Sequence, residues 1–369
     1  MAETFSSETY FEHERPPATI QSDKEKVAEF VLRQRQAGRK VVLVTSGGTT
    51  VPLERNMCGF PYFIRERSDF STISALASTR GATSAEYFLQ AGYAVIFMHR
   101  QFSLQPFSRH YSHSTNPFLE LLTVETDPLD TDSNTGTPAP KIAIVPEARP
   151  KLASVLAAYR ECHAKGTLLT LTFVTVNDYL WLLRTVSVEM AVLGRRAIFY
   201  LAAAVSDFFL PTRKMAEHKI QSGKGSLQLE MDQVPKILKP LVSQWTREGF
   251  IVSFKLETDP TLLIPKARAA LERYGHQVVI ANDLHRRKFE VAFVSRTPTA
   301  PSSPGTSADV EFVEEWLTLP TEEVDAGKEI EVDIISRLVA LHAAWIEKGT
   351  VAIHQTPEPN VISDPQVAA

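Results

Sequence analysis

The residues best suited to chemistry fall at the ends of hydrophobic runs. Between 200 and 222 the chain reads Tyr-Leu-Ala-Ala-Ala-Val-Ser-Asp-Phe-Phe-Leu-Pro-Thr-Arg-Lys-Met-Ala-Glu-His-Lys-Ile-Gln-Ser. Ala202, Ala203 and Ala204 leave open space where a buried strand over 197–203 should end. In open α/β sheets that end of a strand is where ligands bind. Asp207 supplies a carboxylate just beyond it, and Lys219 follows twelve residues later with a cation. An acid that can hold Mg²⁺ and a lysine that can hold phosphate, beside an alanine-lined slot, point to a nucleotide site. A core strand followed by a solvated loop would use the same residues. This stretch alone leaves both readings open.

Other strand exits carry similar chemistry. A buried run at 41–44 passes straight into Thr45-Ser46-Gly47-Gly48-Thr49, where paired glycines let backbone amides turn inward as an anion nest. Most such pairs are only turns. Arg80-Gly81-Ala82-Thr83-Ser84-Ala85-Glu86 reads as the start of a helix ending at Gly92, with free amides, two hydroxyls and an arginine that suit a phosphate. An ordinary helix capped by Thr79 is the competing reading. Lys255 and Asn282 close two further apolar runs. His110 and His113 share a helical spacing, but no third ligand accompanies them, which favours a solvated loop or lid over 99–120 to a metal site.

The elements that must position these residues alternate between strand and helix. Apolar runs at 93–98, 167–174, 249–254, 277–281 and 290–294 read as strands. Helical periodicity spans 24–37, 150–162, a segment capped by Asn177 or Asp178 and running to Leu193, about 234–246, 260–274 and 329–345. An edge strand is expected over 227–231. The pattern predicts an α/β fold: a doubly wound, mainly parallel Rossmann-like sheet with helices on both faces and a loop or lid insertion. One domain is expected over 23–350, with flexible insertions at about 125–140 and 296–309 and disordered tails over 1–22 and 351–369. The segment from Asp178 to Leu193 is apolar over so wide an arc that it must be core or a subunit contact.

Composition excludes several classes. A net charge of −4 gives no reason to expect nucleic-acid binding, and no apolar run approaches the ~20 residues of a membrane helix. Cys58 and Cys162 have no metal-like spacing. The polar, acidic start resembles neither a signal peptide nor a transit peptide, so the cytoplasm is the expected compartment, with the nucleus as a second. Neither Gly-x-Gly-x-x-Gly nor Gly-x-x-x-x-Gly-Lys-Ser/Thr occurs, which disfavours a dinucleotide dehydrogenase and a P-loop enzyme.

Taken in order, the motifs resemble phosphopantothenoylcysteine synthetase, the phosphopantothenate–cysteine ligase of coenzyme A synthesis, in its eukaryotic form. The matching segments are Val44 to Thr49 with Val51-Pro52-Leu53-Glu54, Arg80 to Glu86, Tyr200 to Phe208, and Glu217-His218-Lys219-Ile220-Gln221-Ser222. Val234-Pro235-Lys236, Phe254 to Asp259 and His276 to Asn282 complete the series. The resemblance implies that 4′-phosphopantothenate, ATP and L-cysteine yield 4′-phosphopantothenoylcysteine, AMP and pyrophosphate through an acyl-adenylate. It implies Mg²⁺ and a homodimer, which the wide apolar arc would also suit. By resemblance Lys219 contacts nucleotide phosphates and Asp207 places the metal or nucleotide. Ala202, Ala203, Phe254, Lys255 and Asn282 would line the nucleotide site. Gly47, Gly48, Arg80, Gly81, Ala82, Thr83 and Ser84 would hold phosphate groups of nucleotide or pantothenate.

The chain departs from the family in one block. The segment before Arg-Gly-Ala carries Asn-Phe-Ser, a small residue and Gly in the family, and that Asn acts on the acyl intermediate. Here Ser74 and Ser78 occupy the Asn and Gly positions, and Asp69-Phe70-Ser71-Thr72 stands as a displaced remnant. An ionised Asp only accepts hydrogen bonds whereas Asn can also donate to a developing oxyanion, so the swap is not neutral. The alternative to an active ligase is therefore a catalytically impaired nucleotide-binding paralogue or subunit of the same fold. Damage confined to 55–78 favours a misplaced exon boundary instead.

Overall fold

Residues that are buried without interruption form the centre of the molecule. In the computed structural model, which describes residues 6–52, 70–111, 118–131, 138–215, 229–296 and 311–354, the chain opens with α1 (Ser7–His13) and α2 (Ile20–Gln36). It then enters β1 (Val41–Ser46), α3 (Phe70–Gln90) and β2 (Ala94–Arg100). An excursion follows, containing the hairpin β3 (Leu122–Thr131) and β4 (Pro138–Ile144) and the helix α4 (Arg149–Lys165). β5 (Leu168–Phe173), α5 (Val176–Met190) and β6 (Ala197–Leu201) return to the core. The short pair β7 (Phe208–Phe209) and β8 (Asp232–Gln233) leads to α6 (Leu238–Pro240), which widens into a π-helical turn over Leu241–Trp245. The remainder is β9 (Phe250–Glu257), α7 (Pro260–Tyr274), β10 (Val278–Asp283), β11 (Glu290–Arg296), β12 (Phe312–Thr318), α8 (Thr321–Asp325) and α9 (Ile330–His354).

Among the described residues the main sheet has eight strands in the order β12-β11-β10-β9-β6-β1-β2-β5. From β10 to β5 all neighbours are parallel, and β11 and β12 add an antiparallel edge. Every residue of β1 is buried, as a strand covered on both faces requires. Helices α2 and α5 cover one face with Val41, Leu43 and Phe199. Helices α3 and α9 cover the other with Val42, Val44 and Tyr200. Helix α7 packs on Val279, Ala281, Ala292 and Val294. The doubly wound, mainly parallel expectation is borne out. β1 is the switch point, because β2 lies on one side of it and β6 on the other.

Several local expectations change. The tail expected to be disordered over 1–22 holds α1, whose Tyr10 is fully buried and donates to Asn177 Oδ1 at 2.9 Å. Its ring packs edge-on against Phe209, so two aromatics anchor a segment that is otherwise polar. Of the insertion expected to be flexible at 125–140, 125–131 and 138–140 belong to strands β3 and β4, with Glu125 opposite Lys141, and 132–137 lie outside the described residues. The edge strand expected at 227–231 is instead Asp232–Gln233, paired with Phe208–Phe209; residues 216–228 lie outside the described residues. The insertion at 296–309 lies outside them beyond Arg296, and of the expected C-terminal tail 351–354 continue α9. Helix α5 is capped by Thr175, not Asn177 or Asp178: Thr175 accepts from the Asp178 amide while Asp178 accepts from the Thr175 amide at 2.9 Å. Of its apolar arc, Tyr179, Leu180, Leu182, Leu183, Val186 and Met190 are buried within this one chain, while Val188 and Ala191 are exposed. The buried part of the arc is core.

Candidate active site

The exits of β1 and β6 are joined to each other. Ala204 N donates to Gly47 O at 2.8 Å and Thr49 N to Ala204 O at 3.1 Å. Hydroxyls complete the seam, with Thr45 Oγ1 accepting from Ala203 N at 3.1 Å and Thr49 Oγ1 from Ser206 N at 2.9 Å. Gly47 is required here twice over. Its φ of 86° is left-handed, and a Cβ would lie 2.8 Å from Arg100 Cβ. Gly48 sits opposite Ala204 in an isolated parallel bridge.

Beyond this seam the alanine run divides. Ala202 packs with Phe254 on the α3/α9 face, whereas Ala203 packs on the α2/α5 face. Alternation of side chains along an extended chain forces this, so one slot cannot hold both. On the α3/α9 face a polar corner surrounds Phe254. The Arg80 guanidinium lies 5.8 Å from the Phe254 ring centre, and Tyr200 meets the same ring edge-on. Arg80 Nη2 donates to Arg287 O at 2.6 Å, and Nε lies 3.3 Å from Glu331 Oε1. Asn282 follows Ile280, the register partner of Phe254, by two residues and shares its face of the sheet. Among the described residues, Arg80 Nη1 and Asn282 Oδ1 are buried and have no hydrogen-bond partner. An orphan donor and an orphan acceptor in one corner mark a place for a polar ligand.

The other expected site residues fall as follows. Arg80 to Ser84 are not a helix start, because α3 begins at Phe70 and their amides lie inside the helix. Gly81 is small because a Cβ there would collide with the Ser46 side chain. Ala82, Thr83 and Ser84 are core, and Ser84 Oγ is 2.8 Å from the Tyr200 hydroxyl. Packing of α3 on β1 explains these small residues. Lys255 is paired with Glu257 at 3.0 Å. Asp207 is exposed beside β7, and its carbonyl accepts from Val234 N at 2.9 Å. Lys219 and residues 55–69 lie outside the described residues. Among the described residues His110 joins no metal cluster; its Nε2 is 3.2 Å from Glu86 Oε2, and His113 lies outside the described residues.

Residues that sequence reasoning missed complete the site's walls. Arg287 follows the Asn282-Asp283 exit, in a turn that Asp283 shapes by accepting from His285 N at 2.8 Å and Arg286 N at 3.1 Å. In sequence the run His-Arg-Arg-Lys reads as a solvated face. Nearby, Arg109 is held between Glu86, at 2.7 Å from Nε, and Glu329, at 2.9 Å from Nη2. Burial alone would raise the Glu86 carboxyl, but hydrogen bonds from His110, Arg109 and the Phe107 amide hold it below the usual range. The clamp fixes the loop after β2 onto α3 and α9.

With this geometry established, similarity to known proteins decides the family. A Homo sapiens phosphopantothenate–cysteine ligase is 41% identical over 331 residues, spanning 87% of this chain and 92% of its own. The chain belongs to the phosphopantothenate–cysteine ligases. A Saccharomyces cerevisiae ligase of this name, CAB2, is 39% identical over 366 residues and covers 94% of this chain and 88% of its own. A solved structure of a Cab2 histidine-to-alanine mutant in complex with phosphopantothenate-cysteine superimposes with a TM-score of 0.74 at 38% identity, covering 93% of this chain and 100% of that one. Residues 163–299 match the DNA/pantothenate metabolism flavoprotein C-terminal domain family. The region shared with that family contains β6, β9 and β10, the strands that carry Ala202, Phe254 and Asn282.

Proposed function

We propose that the protein joins 4′-phosphopantothenate to L-cysteine at the expense of ATP, releasing AMP and pyrophosphate. The observation that carries this reading is the identity to ligases across nearly their whole length, together with a shared fold whose solved relative holds phosphopantothenate-cysteine. A free carboxylate is a poor electrophile. Its oxygen therefore attacks the α-phosphorus of ATP, pyrophosphate leaves, and an acyl-adenylate forms. The cysteine amine then attacks the acyl carbon, an amide forms, and AMP leaves. Charge builds on phosphate oxygens in the first step, so buried donors aimed at them lower its barrier. Arg80 Nη1 is such a donor.

Lys219 contacts the nucleotide phosphates in this reading, and Gly47 and Gly48 lie where the chain approaches them. Phe254 and Ala202 offer an apolar surface to the base, and Asn282 an acceptor. Lys255, engaged with Glu257, is a peripheral member of the site. Among the described residues no three His, Cys, Asp or Glu side chains form a metal cage. Mg²⁺ keeps several waters and commonly takes one or two carboxylates plus substrate phosphates, which the lone exposed Asp207 fits. When bound it would neutralise phosphate charge. A homodimer in the cytoplasm, with the nucleus as a second compartment, belongs to the same reading. With most of the α5 arc buried in the core, exposed Leu119, Val124 and Ile142 around the β3–β4 hairpin are the apolar surface a second copy would cover.

The impaired-paralogue alternative rests on the missing Asn block alone. Identity of 41% to a ligase, over 92% of that ligase's length, supports the active reading. The experiment is pyrophosphate release dependent on 4′-phosphopantothenate, in the parent and in Lys219→Gln. The parent should turn over. Lys219→Gln should raise the barrier by ~3 kcal/mol, about a hundredfold in rate, with a near-normal melting temperature. A parent without phosphopantothenate-dependent release overturns the ligase reading, and a variant within a few-fold of the parent makes Lys219 a surface charge.

A further inference from the structure

The corner between α3, the β10–β11 turn and α9 contains two guanidinium groups and one carboxylate. Arg80 and Arg287 are 9% and 8% exposed. Glu331 is 3.3 Å from Arg80 Nε. Among the described residues the Arg287 guanidinium forms no ion pair or side-chain hydrogen bond, although its nitrogens are not fully cut off from solvent, and the fully buried Arg80 Nη1 has no acceptor. The two arginines are tied to each other, since Arg80 Nη2 donates to the Arg287 carbonyl. Burial, and then the neighbouring charge of Arg80, lower the proton affinity of Arg287, against a smaller opposing pull from Glu331. Asn282, 5% exposed, stands five residues before Arg287, and among the described residues its Oδ1 has no partner.

A buried cation that lacks a counter-charge is strongly unfavourable, and a folded protein retains one where something else supplies the anion. The planar guanidinium also matches phosphate geometry in a way an ammonium does not. We propose that Arg287 is a phosphate-binding residue of the ligase, its guanidinium and Arg80 Nη1 together receiving a phosphate group of one substrate. The inference rests on the ligase reading and adds to it a residue that no motif in the sequence marks. ATP and 4′-phosphopantothenate both carry such a group. Arg80 over the Phe254 ring and Asn282 beside it place the corner at the nucleotide end of the site, and the experiment separates the two sources.

The test uses Arg287→Met and Arg287→Lys in the full chain. Melting temperature is read without ligand, with ATP and Mg²⁺, and with 4′-phosphopantothenate alone, and KM is measured for each substrate. Ligand-free Arg287→Met should melt at or above the parent, because an uncompensated buried charge is gone. It should lose the stabilisation given by one phosphate-bearing substrate, whose KM rises at least about tenfold, while the other KM values stay within about twofold. The substrate affected identifies the source of the phosphate. Arg287→Lys should recover part of the loss. Unchanged ligand shifts and KM values in Arg287→Met overturn the inference and leave the ligase reading standing. A lower melting temperature with loss of both ligand shifts overturns it too, making Arg287 a structural residue. A parent that binds neither substrate overturns both.

Discussion

Helix α3 carries two buried charges six positions apart whose surroundings differ sharply. Glu86 accepts hydrogen bonds from Arg109, His110 and the Phe107 amide, and Arg109 also reaches Glu329. Arg80 has Glu331 at 3.3 Å and the Arg287 carbonyl, but among the described residues its buried Nη1 has no acceptor. Both clusters join the same two helices, and Glu329 and Glu331 stand at the start of α9. The difference is completeness. A satisfied buried network holds structure together, and a polar group left unsatisfied in the same low dielectric is costly.

The largest expected effect breaks the satisfied side. Arg109→Leu leaves Glu86 buried without its main partner and should destabilise the protein by about 3–5 kcal/mol, read as a lower urea midpoint. A loss below about 1 kcal/mol would mean that the clamp contributes no more than a surface pair.

A second contrast sharpens the same point through pH. His342 is saturated: its Nε2 donates to Arg195 O at 2.8 Å, so Nδ1 accepts from the Tyr93 hydroxyl at 2.8 Å. Among the described residues His276 is bonded through Nε2 to Ser253, and its buried Nδ1 has no partner. Burial first, with nearby positive charge, pushes both down to about 4. The unfolded chain therefore takes up these protons first. The stabilisation is complete above about pH 6.5 and is lost as the pH falls toward 4, by about 2 kcal/mol per histidine at pH 5. His342→Gln should flatten the drop in unfolding free energy between pH 7 and 5 by roughly that amount. An unchanged slope would remove His342 from the account.

The smallest effect concerns the loop that runs from the Gly47 contact to the clamp. Phe102 is third in a turn closed by Ser103 N to Arg100 O at 3.0 Å, with φ of 63° and 95% of its surface exposed. That position favours glycine. Phe102→Gly should stabilise the protein by about 1 kcal/mol, seen as a higher urea midpoint with the clamp intact.

Much of this was legible in the sequence because it is local. Strands β1, β2, β6, β9 and β10 appear as apolar runs, and Gly47 marks a turn whose φ no other residue adopts easily. The polar exit at Asn282 and the arginine at 80 were also legible as residue types. What kind of place they occupy was not. Arg80 reads as a helix start because a glycine and two hydroxyls follow it, yet those residues serve the close packing of α3 on Ser46. Helix α1 is hidden for a similar reason: Tyr10 and Phe11 stand in a polar stretch, and the partners that bury them, Asn177, Phe209 and Trp181, are far along the chain.

By itself the sequence determined the α/β class, the family and the set of residues available for chemistry, because periodicity, turns and ordered motifs are written in short windows. Tertiary structure alone decided which alanine faces which side of the sheet, and that most of the wide arc of α5 is core. It alone set Arg80 against the backbone of Arg287, 207 positions apart, with Glu331 beside Arg80. Charge balance in a buried corner depends on distances between remote segments, and no local pattern encodes it.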